Sequence, residues 1–485
     1  VYKRQEARKK AAENGDEPPR PDRSELRSMK DSSPRRIVIE ASQARLIRAT
    51  YSERQLQEVM TDFWFNHFNV YGYEYWIGPL WVHWDRDVIR ANMLGNFRQM
   101  LEDVAKSPCM LYYLDNYTSS NAGPNENWSR ELFELHALGA ENYLGVRRQA
   151  DVPLDGMGRP IGYVDDDVFE ATRCFTGWSF DFDTGLFEYR GDWHDRFQKT
   201  VLGTFMSPDQ APLADGRDVL RALAFHPGTA QHISRKLCRR LISDDPPQTV
   251  VDQAAAVFET AKRDSDQLAQ VVRTILLSDE FRTTWGEKIK RPFEVAVSAM
   301  RAAGAKFSFK LDDHESDDLL WMYDQAGQPL FSWRAPNGYS DIKEDWQSAM
   351  PRVQLWRLCN WLVDVENDFD THLMDVVAKT PASARTANEI ADYWINRILL
   401  RPMPAADRAA SLARAAWPSM RRRQTGVRGA IRLRARLSGK RFTFQSFWSQ
   451  PRPRSQPSTG RSSSHCAVFP NTSSKLVVPV RSRLE

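Results

Sequence analysis

Ser52-Glu-Arg-Gln-Leu-Gln-Glu-Val-Met-Thr-Asp-Phe-Trp-Phe-Asn-His-Phe-Asn-Val70 carries its apolar side chains at helical intervals, with Leu56, Val59, Met60, Phe63, Trp64 and Phe68 on one side. The period extends back to residue 37, so the sequence predicts one helix over 37–70. At 100° per residue, Gln55, Glu58, Asp62, Asn66 and Asn69 fall in a separate narrow stripe. His67 lies outside that stripe, between Phe63 and Trp64. A histidine on an aromatic face reads first as a core residue and second as a ligand.

Outward from this segment the pattern stays helical, at 86–105, 125–138, 165–176, 228–242, 249–262, 265–282, 290–303, 344–365 and 386–400. The exception is Trp178-Ser-Phe-Asp-Phe-Asp-Thr-Gly-Leu-Phe-Glu-Tyr189, whose alternation around Asp183-Thr184-Gly185 is a hairpin signal. The expected fold is therefore mainly α, a multi-helix globular domain with one small β-hairpin near residues 178–190. No stretch approaches the roughly 18 consecutive apolar residues that a membrane-spanning helix requires.

Charge divides the chain of 485 residues. Residues 421–485 carry a net charge of +14, with Glu485 as their single acid, and residues 1–420 carry −10. The basic end therefore gives no reason to expect a nucleic-acid partner for the body. Arg, Ser and Pro runs without period, such as Arg421-Arg422-Arg423 and Pro451-Arg452-Pro453-Arg454, predict a disordered tail. The abrupt change after Trp417 reads as an out-of-frame translation of GC-rich DNA more readily than as a native extension. Three parts result: a charged, flexible segment 1–36, a helical domain 37–418, and a basic low-complexity tail 419–485. The chain begins at Val1, and no signal peptide is visible in it. Five cysteines without paired spacing imply neither a disulfide framework nor a structural zinc site.

Candidate chemistry lies in four places. In Asn125-Glu-Asn-Trp-Ser-Arg-Glu-Leu-Phe-Glu-Leu-His-Ala-Leu-Gly139, the residues Asn127, Arg130, Glu131 and Glu134 share one arc, with Arg130 and Glu134 four apart. That arc is either a solvated stripe with an ion pair or two carboxylates offered to a metal or to acid–base work. His136 faces nearly opposite Glu134, so His67 and His136 both project from apolar faces and can meet in one dry pocket. His194-Asp195, followed by Lys199, leaves the hairpin on a loop. His226 precedes Pro227-Gly228 at a helix start, as a cap or an outer site residue. Dinucleotide, Walker, GxSxG, HExxH and haem-attachment signatures are absent, and the sequence names no cofactor.

The runs Ser52 to Val70, Ser107-Pro-Cys-Met-Leu-Tyr-Tyr-Leu-Asp-Asn116, Asn125 to Gly139, Thr176-Gly-Trp178, His194-Asp195 with Lys199, His226 to Ala230, and Pro329-Leu-Phe331 with Gly338-Tyr339 together resemble a bacterial family. It is the domain of unknown function 1800, matched in order over residues 40 to 410. The resemblance implies a mainly helical, exported protein of the periplasm or cell exterior, commonly encoded beside a sulfatase-like family of secreted proteins. The family's polar motif positions fall on Asn66, His67, Asn127, Arg130, Glu131, Glu134, His136, His194 and Asp195. The stretch Arg147 to Pro160 looks inserted, the family's N-terminal region looks missing, and the tail matches none of the pattern.

Two function classes follow. One is an enzyme, hydrolytic or redox, with Glu131 and Glu134 as metal ligands or acid and base, Arg130 orienting one of them, and His194, Asp195, Asn66, His67, Asn127, His136 and His226 around them. The other is an envelope scaffold or carbohydrate-binding protein that uses the aromatic run Trp76 to Trp84.

Overall fold

The computed structural model describes residues 34–284, 287–307, 309, 314–364 and 374–412, all within the first of the chain's two units, Val1–Ser449. The tail 419–485 lies outside the described residues, as does all of the segment 1–36 except its last three. Helix α1, Pro34–Tyr51, starts at a proline, whose missing N–H costs nothing in a first turn.

The helix expected over 37–70 is two helices, α1 and α2 (Gln55–His67). Ser52 Oγ accepts the Arg54 N–H at 3.0 Å, and the Gln55 amide donates to the Ala49 and Ser52 carbonyls, so the break satisfies its own backbone. Next come α3 (Ile77–His83), a π-helical turn Trp84–Arg90, α4 (Phe97–Lys106) and α5 (Pro108–Tyr113). The helix expected over 86–105 is interrupted before α4, where Asn96 caps the Gln99 N–H. Helix α6 (Asn127–Glu131) runs into a second π-helical turn, Leu132–His136, and α7 spans Asp165–Cys174.

The expected hairpin is present: β1 (Trp178–Phe180) pairs antiparallel with β2 (Phe187–Tyr189). A second one, β3 (Lys199–Val201) with β4 (Thr204–Met206), escaped the sequence reading. Its turn is Leu202-Gly203, both at positive φ, and leucine there gives no hairpin signal. Then follow α8 (Ala214–Ala224), α9 (Pro227–Leu241), α10 (Gln248–Thr260), α11 (Gln267–Leu277), α12 (Asp279–Thr283), α13 (Pro292–Ala303), α14 (His314–Asp324), α15 (Ala349–Asp364), α16 (Val376–Lys379) and α17 (Ala387–Leu399). Among the described residues the chain is mainly α with two small strand pairs. No helix among the described residues is long and apolar enough to cross a membrane.

Two hydrophobic cores form. The first gathers α2 to α11 around Trp64, Trp81, Trp84, Trp128 and Trp178. The second joins Leu46 and Ala49 of α1 to α13, α14, α15 and α17. Helix α1 serves both cores, and α2 turns its polar stripe toward the seam between them. Of the aromatic run expected at the surface, Trp81 and Trp84 are fully buried, while Trp76 is 41% exposed beside Tyr75.

Candidate functional site

The stripe on α2 does two jobs. Its lower half holds down the loop 331–339: Asn66 donates to the Tyr339 carbonyl and accepts the Tyr339 N–H, both at 2.7 Å. Asn69 donates to the Trp333 and Ala335 carbonyls. Gly338 is required there, since its φ is +70° and a Cβ would lie 2.1 Å from the Asn66 carbonyl oxygen. Its upper half is ionic. Asp62 pairs with Arg45, Arg240 and Arg291, and Arg240 and Arg291 also hold Glu294. Burial pushes both carboxyls up, yet the arginines outweigh it and hold Asp62 and Glu294 at about 2.

His67 and His136 do meet. The His67 Nε2–H donates to the His136 carbonyl and the His136 Nδ1–H to the His67 carbonyl, each at 3.1 Å. Both rings are buried among Phe63, Trp64, Phe68 and Trp128. Burial, reinforced by the charge of Lys236, lowers both imidazoles, His136 to about 3, so both are neutral. The second nitrogens, His67 Nδ1 and His136 Nε2, are buried without a partner among the described residues. The pair is a reciprocal clamp between α2 and the π-helical turn.

His194 and Asp195, adjacent in sequence, separate. The His194 Nδ1 faces the Thr176 carbonyl at 2.9 Å and its Nε2 faces Asp215 Oδ2 at 3.1 Å. Asp195 takes both ends of the Arg173 guanidinium, at 2.8 and 3.1 Å. Lys199, almost fully buried, donates to Asp215 Oδ2 at 2.6 Å and to the Asp195 and Phe197 carbonyls. Burial raises the Asp215 carboxyl, but the His194 hydrogen bond and the Lys199 ammonium bring it below its ordinary value. Asp215 was invisible in the sequence because α8, which carries it in its first turn, was not anticipated. His226 is the cap of α9: its Nδ1 accepts the Gly228 N–H at 2.9 Å and its Nε2–H donates to the Pro160 carbonyl at 2.8 Å.

The arc on α6 differs from its expected pairing. Arg130 reaches back to Glu126 and across to Asp165 and does not pair with Glu134. Glu131 and Glu134 are half-buried, and among the described residues neither carboxylate has a hydrogen bond or an ion pair. Burial, then the charge of Glu134, raises the Glu131 carboxyl. Two further acids, neither of them among the charges that act on Glu131, are also raised. Glu74 is raised by burial and by Asp115; Asp115 is raised by burial, against a hydrogen bond from Asn127. Tyr113 lies within electrostatic reach of Glu74 and Glu131, and its hydroxyl donates to the Arg334 carbonyl at 2.7 Å. Asp115 adopts a left-handed φ of 59°, a conformation that costs a non-glycine residue about 1 kcal/mol. Rings line the approach: Tyr112 stacks on Tyr117, and Tyr117 touches Phe182, which touches Trp76.

Tyr113 is the link between the two groups of acids, within electrostatic reach of Glu131 on one side and of Glu74 on the other. Glu74 in turn faces Asp115, and Tyr112 and Tyr117 lie on that second side. The clamp histidines and the His194 network are tied into their own separate partners. Among the described residues no group of three or more His, Cys, Asp or Glu side chains is arranged to hold a metal ion.

A family model described as a protein of unknown function (DUF1800) matches residues 3–438. The chain belongs to this family. The match runs past both ends of the 40–410 stretch on which the motif resemblance rests. No curated protein and no solved structure matches the chain.

Proposed function

We propose that this DUF1800 protein is a hydrolase acting on a glycan, with Glu131 as the proton-transferring carboxyl and Glu74 and Asp115 as the flanking acids. The observation that supports it most is a half-buried Glu131 whose carboxyl is raised and which, among the described residues, has no ion pair. A raised carboxyl holds its proton to a higher pH than an ordinary glutamate and so suits a proton donor, while Asp115, also raised by burial but partly offset by Asn127, supplies a second carboxyl. Aromatic faces such as Trp76 and Phe182 offer flat apolar surface to sugar rings. Export to the envelope and work alongside a sulfatase-like secreted protein belong to this proposal through the family resemblance.

The test is release of reducing ends from bacterial envelope polysaccharide by the purified chain. Activity in the wild type that falls by about 100-fold or more in Glu131→Gln, with folding intact, is the expected result. Polysaccharide bound but never cleaved would instead favour a second reading, a carbohydrate-binding protein, which the exposed Tyr75, Trp76 and Phe182 also support.

A further inference from the structure

The seam between the two cores contains a cavity of about 780 Å³, within the range of small-molecule sites. It lies between the Gln55–Asp62 face of α2, the outer face of α13 and the end of α17. Its charged lining is unbalanced. Each carboxylate there is already matched by an arginine: Glu58 by Arg90, Asp62 by Arg45 and Arg291, and Glu294 by Arg240. At the mouth stand Arg301 and Arg397, and among the described residues neither has a carboxylate within ion-pair distance. Arg301 is held by the Thr50 and Ser52 carbonyls and Arg397 by the Ala302 carbonyl. Both guanidiniums are thereby positioned by backbone oxygens, which orient them without neutralising them. The walls beside them are apolar, formed by Phe293, Val297, Val59 and Ile398, with Leu400 exposed at the rim.

We propose that this cavity binds an organic anion, a carboxylate or phosphate group on an apolar body, with Arg301 and Arg397 gripping the oxyanion and the α2–α13 walls covering the body. Guanidinium forks suit either oxyanion. Neutral apolar molecules would fill the walls but leave two cations unmatched, and organic cations would be repelled.

The test is isothermal titration of the full chain with decanoate, decyl phosphate and decanol, each as a monomer in solution. The expected result is one equivalent of an anionic probe bound at least about tenfold more tightly than decanol, with the gap narrowing in about 0.5 M salt. Preference for decanoate or for decyl phosphate identifies the oxyanion. The Arg301→Gln/Arg397→Gln double variant gives up three hydrogen bonds to backbone carbonyls and should still unfold cooperatively, at a melting temperature lower by about a few degrees, and lose about tenfold in affinity for the anion. The salt comparison on the wild type stands even if the double variant fails to fold. Binding of neither anion, decanol bound as tightly as the anions, or a folded double variant of undiminished affinity would overturn the proposal.

Discussion

Lys199 shows how one side chain can fix a neighbourhood. It neutralises Asp215 and ties two loop carbonyls to β3 from a buried position. Removing one partner of a buried ion pair strands the other, so Lys199→Met should destabilise the fold by about 3–5 kcal/mol in chemical denaturation. Glu131 is the opposite case, a carboxyl with no ion pair among the described residues, where the charge of Arg130 only partly offsets burial and Glu134. Because the charge of Glu134 follows burial among the causes of its shift, Glu134→Gln should lower the Glu131 pKa toward the ordinary glutamate value. Carboxyl carbon NMR titration reads this directly, and an unchanged value would separate the two groups electrostatically.

Elements show which parts of the structure could be read from sequence. The meeting of His67 and His136 was legible because both project from apolar faces, and helix periodicity reports such faces well. Asp215, Glu74 and Asp115 were not legible. The first sits in the first turn of α8, an amphipathic helix that the sequence expectation did not include, and the other two lie in loops whose course depends on packing elsewhere. The second hairpin was missed through its Leu202-Gly203 turn, while the first was found through Asp183-Thr184-Gly185. The break between α1 and α2 was hidden because it falls in the polar run Ser52-Glu-Arg-Gln55, which has no glycine or proline to mark it. At this scale the loop 331–339 depends on one glycine. Gly338→Ala meets both the strained φ and the Asn66 carbonyl, and should cost about 2 kcal/mol or more, read as a lowered melting temperature. A variant of unaltered stability would mean that the loop is not held to α2.

Across the whole molecule, acid should act in two stages. His136 is held at about 3 against an ordinary 6.5, so the unfolded chain takes up a proton that the folded chain refuses. Stability is full above pH 6.5 and declines below it. Asp62 and Glu294, held at about 2 against ordinary values of 3.8 and 4.5, contribute stability that is present above those values and lost as pH falls toward 2. Denaturation free energy measured from pH 8 to pH 2 should therefore fall gently and then steeply. The share due to His136 is the difference between the wild-type profile and that of His136→Gln, since Asp324, raised by burial to about 6, takes up its proton in the folded state over the same range. Identical profiles would remove His136 as a contributor. The π-helical turn Leu132–His136 sets the geometry on which this clamp relies, since each of its hydrogen bonds spans one residue more than in the α-helix it continues. It forms the last turn of the helix that begins with α6 and ends at His136. Excising a single residue there would let the helix regularise and swing all that follows by about 100°, carrying His136 away from the chain it grips. In this chain, then, a gap of one position in that run is a larger event than the loss of many residues from a surface loop.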